Sequence, residues 1–144
     1  MSEPELDTNP ATQVQTAKQN EKVLIVEDEE TVRLVMERSL EHLGYHVVAA
    51  DSGKRAIEIF EKDIKQFDLV VLDVMMPEMS GDELFFKLRE LNPGIPCLIA
   101  SGYASEKRTG KMISAGKCGF IQKPFGVDDL AQEVRRCIDE YKAS

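Results

Sequence analysis

The sequence of 144 residues has few of the features that mark membrane, secreted and zinc-binding proteins. It contains no tryptophan and three cysteines, Cys97, Cys118 and Cys137, which form no C-x-x-C pair. That spacing matches no zinc motif and the odd count argues against a disulfide framework, so we expect buried thiols in a reducing, cytoplasmic compartment. No apolar run approaches the ~18 residues of a membrane-spanning helix, and the N-terminus has no signal-peptide pattern. We therefore expect no membrane insertion.

Basic residues are also too few for a nucleic-acid-binding face. The chain has 18 Lys and Arg against 26 Asp and Glu, which gives a formal net charge of −8. Because binding to a phosphate backbone needs a basic surface, we expect no direct nucleic-acid partner. The acidic balance is compatible with a cation-binding site or with a basic protein partner.

The length fits one domain, and the hydrophobic pattern predicts where that domain begins. Residues 1–20 are polar and lack an apolar period, which predicts a disordered tail or linker. In residues 21–144, five short apolar segments alternate with helical patterns, which predicts a parallel sheet covered by helices on both faces. The predicted strands are Val23–Val26, Tyr45–Ala49, Leu69–Asp73, Ile95–Ala100 and Gly119–Gln122. The predicted helices cover about residues 29–43, 52–64, 82–91, 106–115 and 127–141.

Polar side chains stand at the ends of four predicted strands. Glu27 and Asp28 follow the first strand, and Asp73 ends the third. Ser101 follows the fourth strand, and Lys123 follows the fifth. Right-handed crossovers bring the carboxyl ends of parallel strands to one edge of the sheet, which is where ligands bind in open α/β folds. We therefore expect these five residues to form one site.

Three carboxylates at one edge need a counter-charge. Two unit charges ~4 Å apart repel by about 4 kcal/mol at an effective dielectric constant of 20. Oxygen ligands at a water-accessible edge favour Mg²⁺, which is typically bound by one or two carboxylates, waters and a phosphate. The Lys123 ammonium and the Ser101 hydroxyl could hold further oxygens of a phosphoryl group. Asp73 is the candidate nucleophile, because a carboxylate can form an acyl phosphate.

Most of the chain, from about Lys22 to Lys142, resembles the receiver domain of two-component response regulators. The resemblance rests on four blocks, which are Glu27-Asp28, Asp73 with Pro77 and Gly81, Ile99–Ala104 and Phe120–Phe125. Any one block is moderately specific, whereas all four in this order and spacing are highly specific. The resemblance implies a flavodoxin-like fold, an α/β fold with a five-stranded parallel sheet of order 2-1-3-4-5 and helices on both faces.

The resemblance also implies a role for each residue of the phosphoryl site. Asp73 would accept a phosphoryl group from the phospho-histidine of a histidine kinase or a phosphotransfer protein. Lys123 and Ser101 would hold the phosphate oxygens. Ser101 and Phe120 would form the switch, with Phe120 turning inward when Ser101 moves toward the phosphate, so that phosphorylation shifts a pre-existing equilibrium.

The same resemblance implies a set of Mg²⁺ ligands and a set of partners. Asp28 and Asp73 would bind Mg²⁺ directly, Glu27 through water, and Met75 through its backbone carbonyl. The phosphorylated form would act on a downstream protein target, and a homodimer could form through the face of helix 4, strand 5 and helix 5. Such a domain is a signalling phospho-acceptor and not a turnover enzyme.

Two other functions are compatible with the same residues. The chain could be a pseudo-receiver, an interaction module without the chemistry, although its intact acids, serine and lysine speak against this. It could also be a Mg²⁺-dependent aspartyl phosphohydrolase, although Met75 stands where such enzymes commonly carry a second aspartate. We find no room for an output domain after the fifth helix, so we expect a stand-alone receiver or a domain of a larger hybrid sensor kinase. The run Ser101-Gly102-Tyr103-Ala104 resembles receivers of that second kind.

Overall fold

The computed structural model describes residues 16–18, 20–102 and 107–142, which form a parallel β-sheet between two layers of helices. The strands are β1 Lys22–Val26, β2 His46–Ala50, β3 Leu69–Asp73, β4 Cys97–Ser101 and β5 Cys118–Gln122. The helices are α1 Glu30–His42, α2 Gly53–Lys62, α3 Gly81–Leu91, α4 Lys107–Ser114 and α5 Val127–Cys137, which continues as a π-helical turn, Ile138–Lys142. The strand order is β2-β1-β3-β4-β5, which confirms the predicted flavodoxin-like fold.

The apolar strands bury both faces of the sheet, as their continuous hydrophobic runs predict. Along β1 the side chains alternate, so that Leu24 and Val26 face one core while Val23 and Ile25 face the other. The first core also receives the inner faces of α2, α3 and α4, through Ala56, Phe60, Leu84, Phe85, Leu88 and Met112. The second receives those of α1 and α5, through Met36, Leu40, Leu130, Val134 and Cys137. Every residue of β3 and β4 is buried, so these two central strands hold their carboxyl ends firmly in place.

Several element boundaries differ from the sequence-based prediction. The fourth strand begins at Cys97 and not at Ile95, because the amide of Ile95 donates to the carbonyl of Asn92 in the preceding turn. The second helix ends at Lys62, yet Ile64 still packs against the first core. The predicted start of the fourth helix, at residue 106, lies outside the described residues. Shifts of one or two residues at an element end are ordinary.

The three cysteines are buried free thiols, as predicted. Burial raises the pKa of Cys97 and of Cys137 to about 12 and raises the pKa of Cys118 as well. Thiols held protonated in this way are poor nucleophiles and poor metal ligands. The reducing compartment inferred from them stays a prediction.

A buried arginine that the sequence pattern did not single out joins α5 to the segment before β1. The Arg135 side chain is only 2% exposed. Its guanidinium donates to the Glu21 carboxylate at 2.7 and 2.8 Å, to the Tyr45 hydroxyl at 3.2 Å and to the Thr16 carbonyl at 3.1 Å. It also forms an ion pair with Asp139 at 2.8 Å. Residues 16–18 therefore lie against the domain, and the boundary predicted at residue 21 stays a prediction.

No helix within the described residues is long and apolar enough to cross a membrane.

Gly110, in the middle of α4, allows a direct test of local helix propensity. Its φ is not in the left-handed region, and beyond its chain neighbours and the backbone of its own helix an added Cβ would meet no described atom within 4 Å. We expect Gly110→Ala to raise the free energy of unfolding, measured by urea denaturation, by about 0.5–1 kcal/mol, because alanine loses less backbone entropy. Gly44 is the matched control. Its φ is +99°, so Gly44→Ala should lower the free energy by about 1–2 kcal/mol. A loss of stability in Gly110→Ala would contradict the structure given for α4.

Candidate functional site

Three carboxylates meet where β1 and β3 end. Glu27 extends β1 by donating its amide to the Ala50 carbonyl at 3.1 Å, and its side chain is 1% exposed. Asp73 is the last residue of β3 and is 4% exposed. Asp28, the next residue after Glu27, is exposed. One oxygen from each of the three carboxylates lies within 4.8 Å of the others, so the structure brings together the acids that the sequence predicted.

Lys123 provides the positive charge next to these acids. Its backbone amide donates to the Ser101 carbonyl at 2.8 Å, just beyond the end of β5. Its Nζ lies 2.9 Å from Glu27 Oε1 and 3.4 Å from Asp73 Oδ1. The ammonium therefore bridges two carboxylates that would otherwise face each other across the edge.

Burial is the largest influence on the pKa values of Glu27 and Asp73. It raises the pKa of Glu27 although the hydrogen bond from Lys123 lowers it, and the charge of Asp73 raises it further. Burial likewise raises the pKa of Asp73, against the opposing charge of Lys123 and the hydrogen bond from the Met75 amide. For Lys123, burial alone would lower the pKa, but the contacts with Glu27 and Asp73 outweigh it and the pKa is raised. The folded protein thus holds two carboxylates in a position that disfavours their ionised form.

The other predicted site residues lie around this cluster. Ser101 is the last residue of β4 and is fully buried, and its neighbour Ala100 is paired with Asp73 across the sheet. Phe120 in β5 is partly buried, is paired with Ile99 and packs against the first core. Met75 is 53% exposed in the loop after β3. The residues Tyr103 and Ala104, which belong to the sequence block around Ser101, lie outside the described residues.

A close contact between main-chain atoms fixes the position of the loop that follows Asp73. The Gly81 amide donates to the Val74 carbonyl at 2.9 Å, and a Cβ on Gly81 would lie only 2.4 Å from the Asp73 carbonyl oxygen. Only glycine allows α3 to begin this close to the end of β3. Within the loop, Met79 covers Gly53 at the start of α2, where an added Cβ would lie 2.6 Å from the Met79 sulfur.

Arg33 is a site residue that sequence reasoning missed. From the second turn of α1, its Nη1 donates to the Glu27 carbonyl at 2.9 Å and approaches the Asp28 carbonyl at 3.4 Å. An arginine among the polar positions of an amphipathic helix is usually expected to lie on the solvent-exposed face. The one signal in the sequence is its position five residues after Asp28.

The donor set of the cluster fits Mg²⁺. All three ligand atoms are carboxylate oxygens, which hard divalent cations prefer, and the exposure of Asp28 leaves room for water. Mg²⁺ usually keeps several waters beside one or two carboxylates, and the small number of protein ligands agrees with this. No thiol or imidazole belongs to the cluster, so nothing in it favours a softer metal.

The fold and this edge define a flavodoxin-like α/β domain with a candidate cation site at the carboxyl ends of its strands. The model of the response regulator receiver domain family matches residues 23–135. The chain belongs to this family, whose members are signalling domains that interact with histidine kinases and downstream targets.

Individual relatives agree with the family assignment. The chain is 41% identical over 118 residues to the sensor kinase CckA of Brucella abortus, covering 82% of this chain and 12% of that protein. It is 32% identical over 109 residues to the response regulator ARR12 of Arabidopsis thaliana, covering 76% of this chain and 18% of the relative. The chain therefore spans only a small part of either relative.

Solved structures show the same fold. The receiver domain from the hybrid histidine kinase CckA aligns with a TM-score of 0.70 at 32% identity, covering 81% of this chain and 98% of that one. The chemotaxis protein CheY4 of Vibrio cholerae aligns with a TM-score of 0.76 at 28% identity, covering 83% of this chain and 99% of that one.

Removing one charge from the cluster should stabilise the fold when no cation is present. Because the pKa of Asp73 is raised, the folded state binds its proton more tightly than the unfolded state, and ionisation costs stability as the pH rises. We expect Asp73→Asn to raise the free energy of unfolding in EDTA at neutral pH by on the order of 1 kcal/mol. The gain should shrink as the pH falls through the raised pKa of Asp73 and should be lost below about pH 4, where the carboxyl group is protonated in both states. Thermal unfolding across this pH range measures the effect.

Asp68→Asn is the control for that experiment. The Asp68 carboxylate lies in a different part of the molecule, where it accepts the Lys22 amide at 2.8 Å and contacts Lys142. Its replacement should therefore lower stability or leave it unchanged. An Asp73→Asn protein less stable than the parent in EDTA would show that the attraction to Lys123 outweighs burial and repulsion, contrary to the structure's charge balance.

Proposed function

We propose that this chain is a phosphorylatable receiver that accepts a phosphoryl group on Asp73 from a phospho-histidine and thereby alters its protein contacts. The observation that carries the proposal is the single cluster of Asp73, Glu27, Asp28 and Lys123 at the carboxyl edge of the sheet. In this proposal the protein catalyses only its own phosphorylation and dephosphorylation.

Asp73 is the nucleophile of the proposed reaction. One oxygen of its carboxylate attacks the phosphorus, an O–P bond forms, and the P–N bond to the donor imidazole breaks. The Lys123 ammonium, 3.4 Å from Asp73 Oδ1, is near enough to move from the carboxylates to a phosphoryl oxygen. Phosphoryl transfer needs mainly positioning and charge neutralisation, both of which this arrangement can supply.

Mg²⁺ is the cofactor of the proposed reaction. Asp28 and Asp73 would hold it directly, Glu27 through water, and Met75 through its backbone carbonyl. When bound, the cation would neutralise charge on the carboxylates and on the incoming phosphoryl group. The exposed position of Asp28 supports this set, because a cation can reach that carboxylate from solvent.

Ser101 and Phe120 form the proposed switch. Ser101 ends the strand next to Asp73, and Phe120 lies on the strand beyond, partly buried. A move of the Ser101 hydroxyl toward a phosphoryl oxygen would open space into which Phe120 can turn. The affected surface would be the face of α4, β5 and α5, which would meet a downstream protein target; a homodimer through that face stays a prediction.

An apolar groove next to the cluster could receive the phosphodonor. It has a volume of about 480 Å³ and is lined by Val32, Val35 and Met36 of α1 and by Pro124 and Phe125 after β5. Val35 stands three residues after Val32 and follows the apolar period of α1 in the sequence, yet it is 52% exposed. Lys123 also lines the groove, so a donor seated there would have its phospho-histidine near Asp73. We propose that the donor is a histidine kinase or a phosphotransfer protein.

Small-molecule phosphorylation tests the proposed chemistry. On incubation with acetyl phosphate and Mg²⁺, we expect the intact mass to rise by one phosphoryl group, because acetyl phosphate needs no docking surface. EDTA or the Asp73→Asn substitution should abolish this gain, while the Asp68→Asn control should be labelled like the parent. A folded parent that binds Mg²⁺ and stays unlabelled would indicate a pseudo-receiver read without phosphorylation.

Substitution in the groove tests the docking of the donor. We expect Val35→Asp to slow transfer from a phosphorylated histidine kinase, relative to labelling by acetyl phosphate, by about tenfold or more, which corresponds to about 1.4 kcal/mol. The donor is chosen from kinases that phosphorylate the parent measurably. Ile113→Asp, at an exposed apolar position of α4, is the matched control and should keep the parent's ratio of the two rates. If Val35→Asp and Ile113→Asp gave the same ratio of kinase transfer to acetyl phosphate labelling, docking at this groove would be contradicted.

A further inference from the structure

We propose that Arg33 is a positioning residue that fixes the turn between β1 and α1 and thereby the two carboxylates that this turn carries. The inference rests on the proposed function, because it assigns Arg33 a role in the affinity of the carboxylate cluster for Mg²⁺. Arg33 itself contacts no carboxylate in the cluster, and it acts through the main chain of Glu27 and Asp28.

The turn is short, and its first residue is also held by the hydrogen bond from the Glu27 amide to the Ala50 carbonyl at 3.1 Å. β1 ends at Val26 and α1 begins at Glu30, so three residues connect them. The N-cap residue Glu29 forms no side-chain cap hydrogen bond. Its amide instead donates to Glu27 Oε2 at 3.2 Å. That contact uses the side chain of a proposed metal-site residue and does not fix the main chain independently of it.

The Arg33 guanidinium supplies a further restraint, which acts on the main-chain carbonyls of the turn. A single Nη1 lies 2.9 Å from the Glu27 carbonyl and 3.4 Å from the Asp28 carbonyl, and the contact to Glu27 is partly buried. Arg33 also belongs to the regular helix, where its own amide donates to the Glu29 carbonyl at 2.9 Å. The side chain therefore folds back from α1 and holds the turn against the helix from which it extends.

The positive charge of Arg33 disfavours cation binding, whereas its positioning role favours it. The guanidinium lies against the main chain of Glu27 and Asp28, and its positive charge repels an incoming divalent cation. Because Arg33 is partly exposed, water and salt screen its charge. Its hydrogen bonds to main-chain carbonyls, by contrast, act together with the Ala50 and Lys123 contacts of Glu27 to hold the residues that carry the two carboxylates. We infer that positioning outweighs repulsion, so that loss of the Arg33 side chain weakens Mg²⁺ binding.

The test measures Mg²⁺ affinity by isothermal titration calorimetry and thermal stability in EDTA. We expect Arg33→Ala to weaken Mg²⁺ binding by about tenfold, the size found when residues that orient metal ligands are removed. Arg33→Lys should recover most of the affinity, because its ammonium can donate to the same carbonyls. Arg38→Ala removes the same charge from an exposed position of the same helix and should bind Mg²⁺ like the parent.

The outcomes separate this inference from the proposed function. An Arg33→Ala protein that binds Mg²⁺ as tightly as the parent, or more tightly, would overturn the positioning role. The positioning role would also be overturned if Arg33→Ala lowered the melting temperature in EDTA without weakening Mg²⁺ binding. It would likewise be overturned if Arg38→Ala weakened Mg²⁺ binding as much as Arg33→Ala does. A parent that binds no Mg²⁺ would instead overturn both the inference and the metal site of the proposed function.

Discussion

The balance of charge at the carboxyl edge of the sheet is the constraint on which the rest of the site depends. The strand order brings Glu27 and Asp73 together, and burial leaves both with raised pKa values. Lys123 bridges the two at 2.9 and 3.4 Å, yet one ammonium does not neutralise three nearby carboxylates. A bound cation would therefore stabilise the site, and the fold already holds the three acids close together.

The two cores explain why this unfavourable arrangement persists. β3 is buried along its whole length, so Asp73 cannot move away without displacing apolar side chains on both faces of the sheet. Gly81 brings the start of α3 against the Asp73 backbone, and Arg33 holds the turn after β1. Packing thus supplies the restraint, while the polar groups at the edge remain under electrostatic strain. Such a cluster responds strongly to a new charge, which is the property a phosphorylation switch requires.

Sequence periodicity was sufficient to predict a parallel sheet covered by helices, whereas the strand order was predicted only from the family resemblance. The residues at strand ends were sufficient to predict that the three acids and Lys123 meet. These features depend on local pattern and on the handedness of crossovers. Arg33 and Arg135 escaped prediction, because each contacts main-chain or side-chain groups whose position only the tertiary fold defines. Val35 follows the apolar period of α1 but stays exposed beside a groove, which periodicity alone cannot reveal.

The most direct test of this account is a crystal structure determined with Mg²⁺ and beryllofluoride, which mimics a phosphoryl group on a carboxylate. The account predicts a cation bound to the carboxylates of Asp28 and Asp73 and a beryllofluoride group on Asp73. It also predicts that Lys123 Nζ has left Glu27 for a fluorine of that group. A cation bound elsewhere, or an Asp73 without the adduct and with Lys123 still on Glu27, would contradict the central claim.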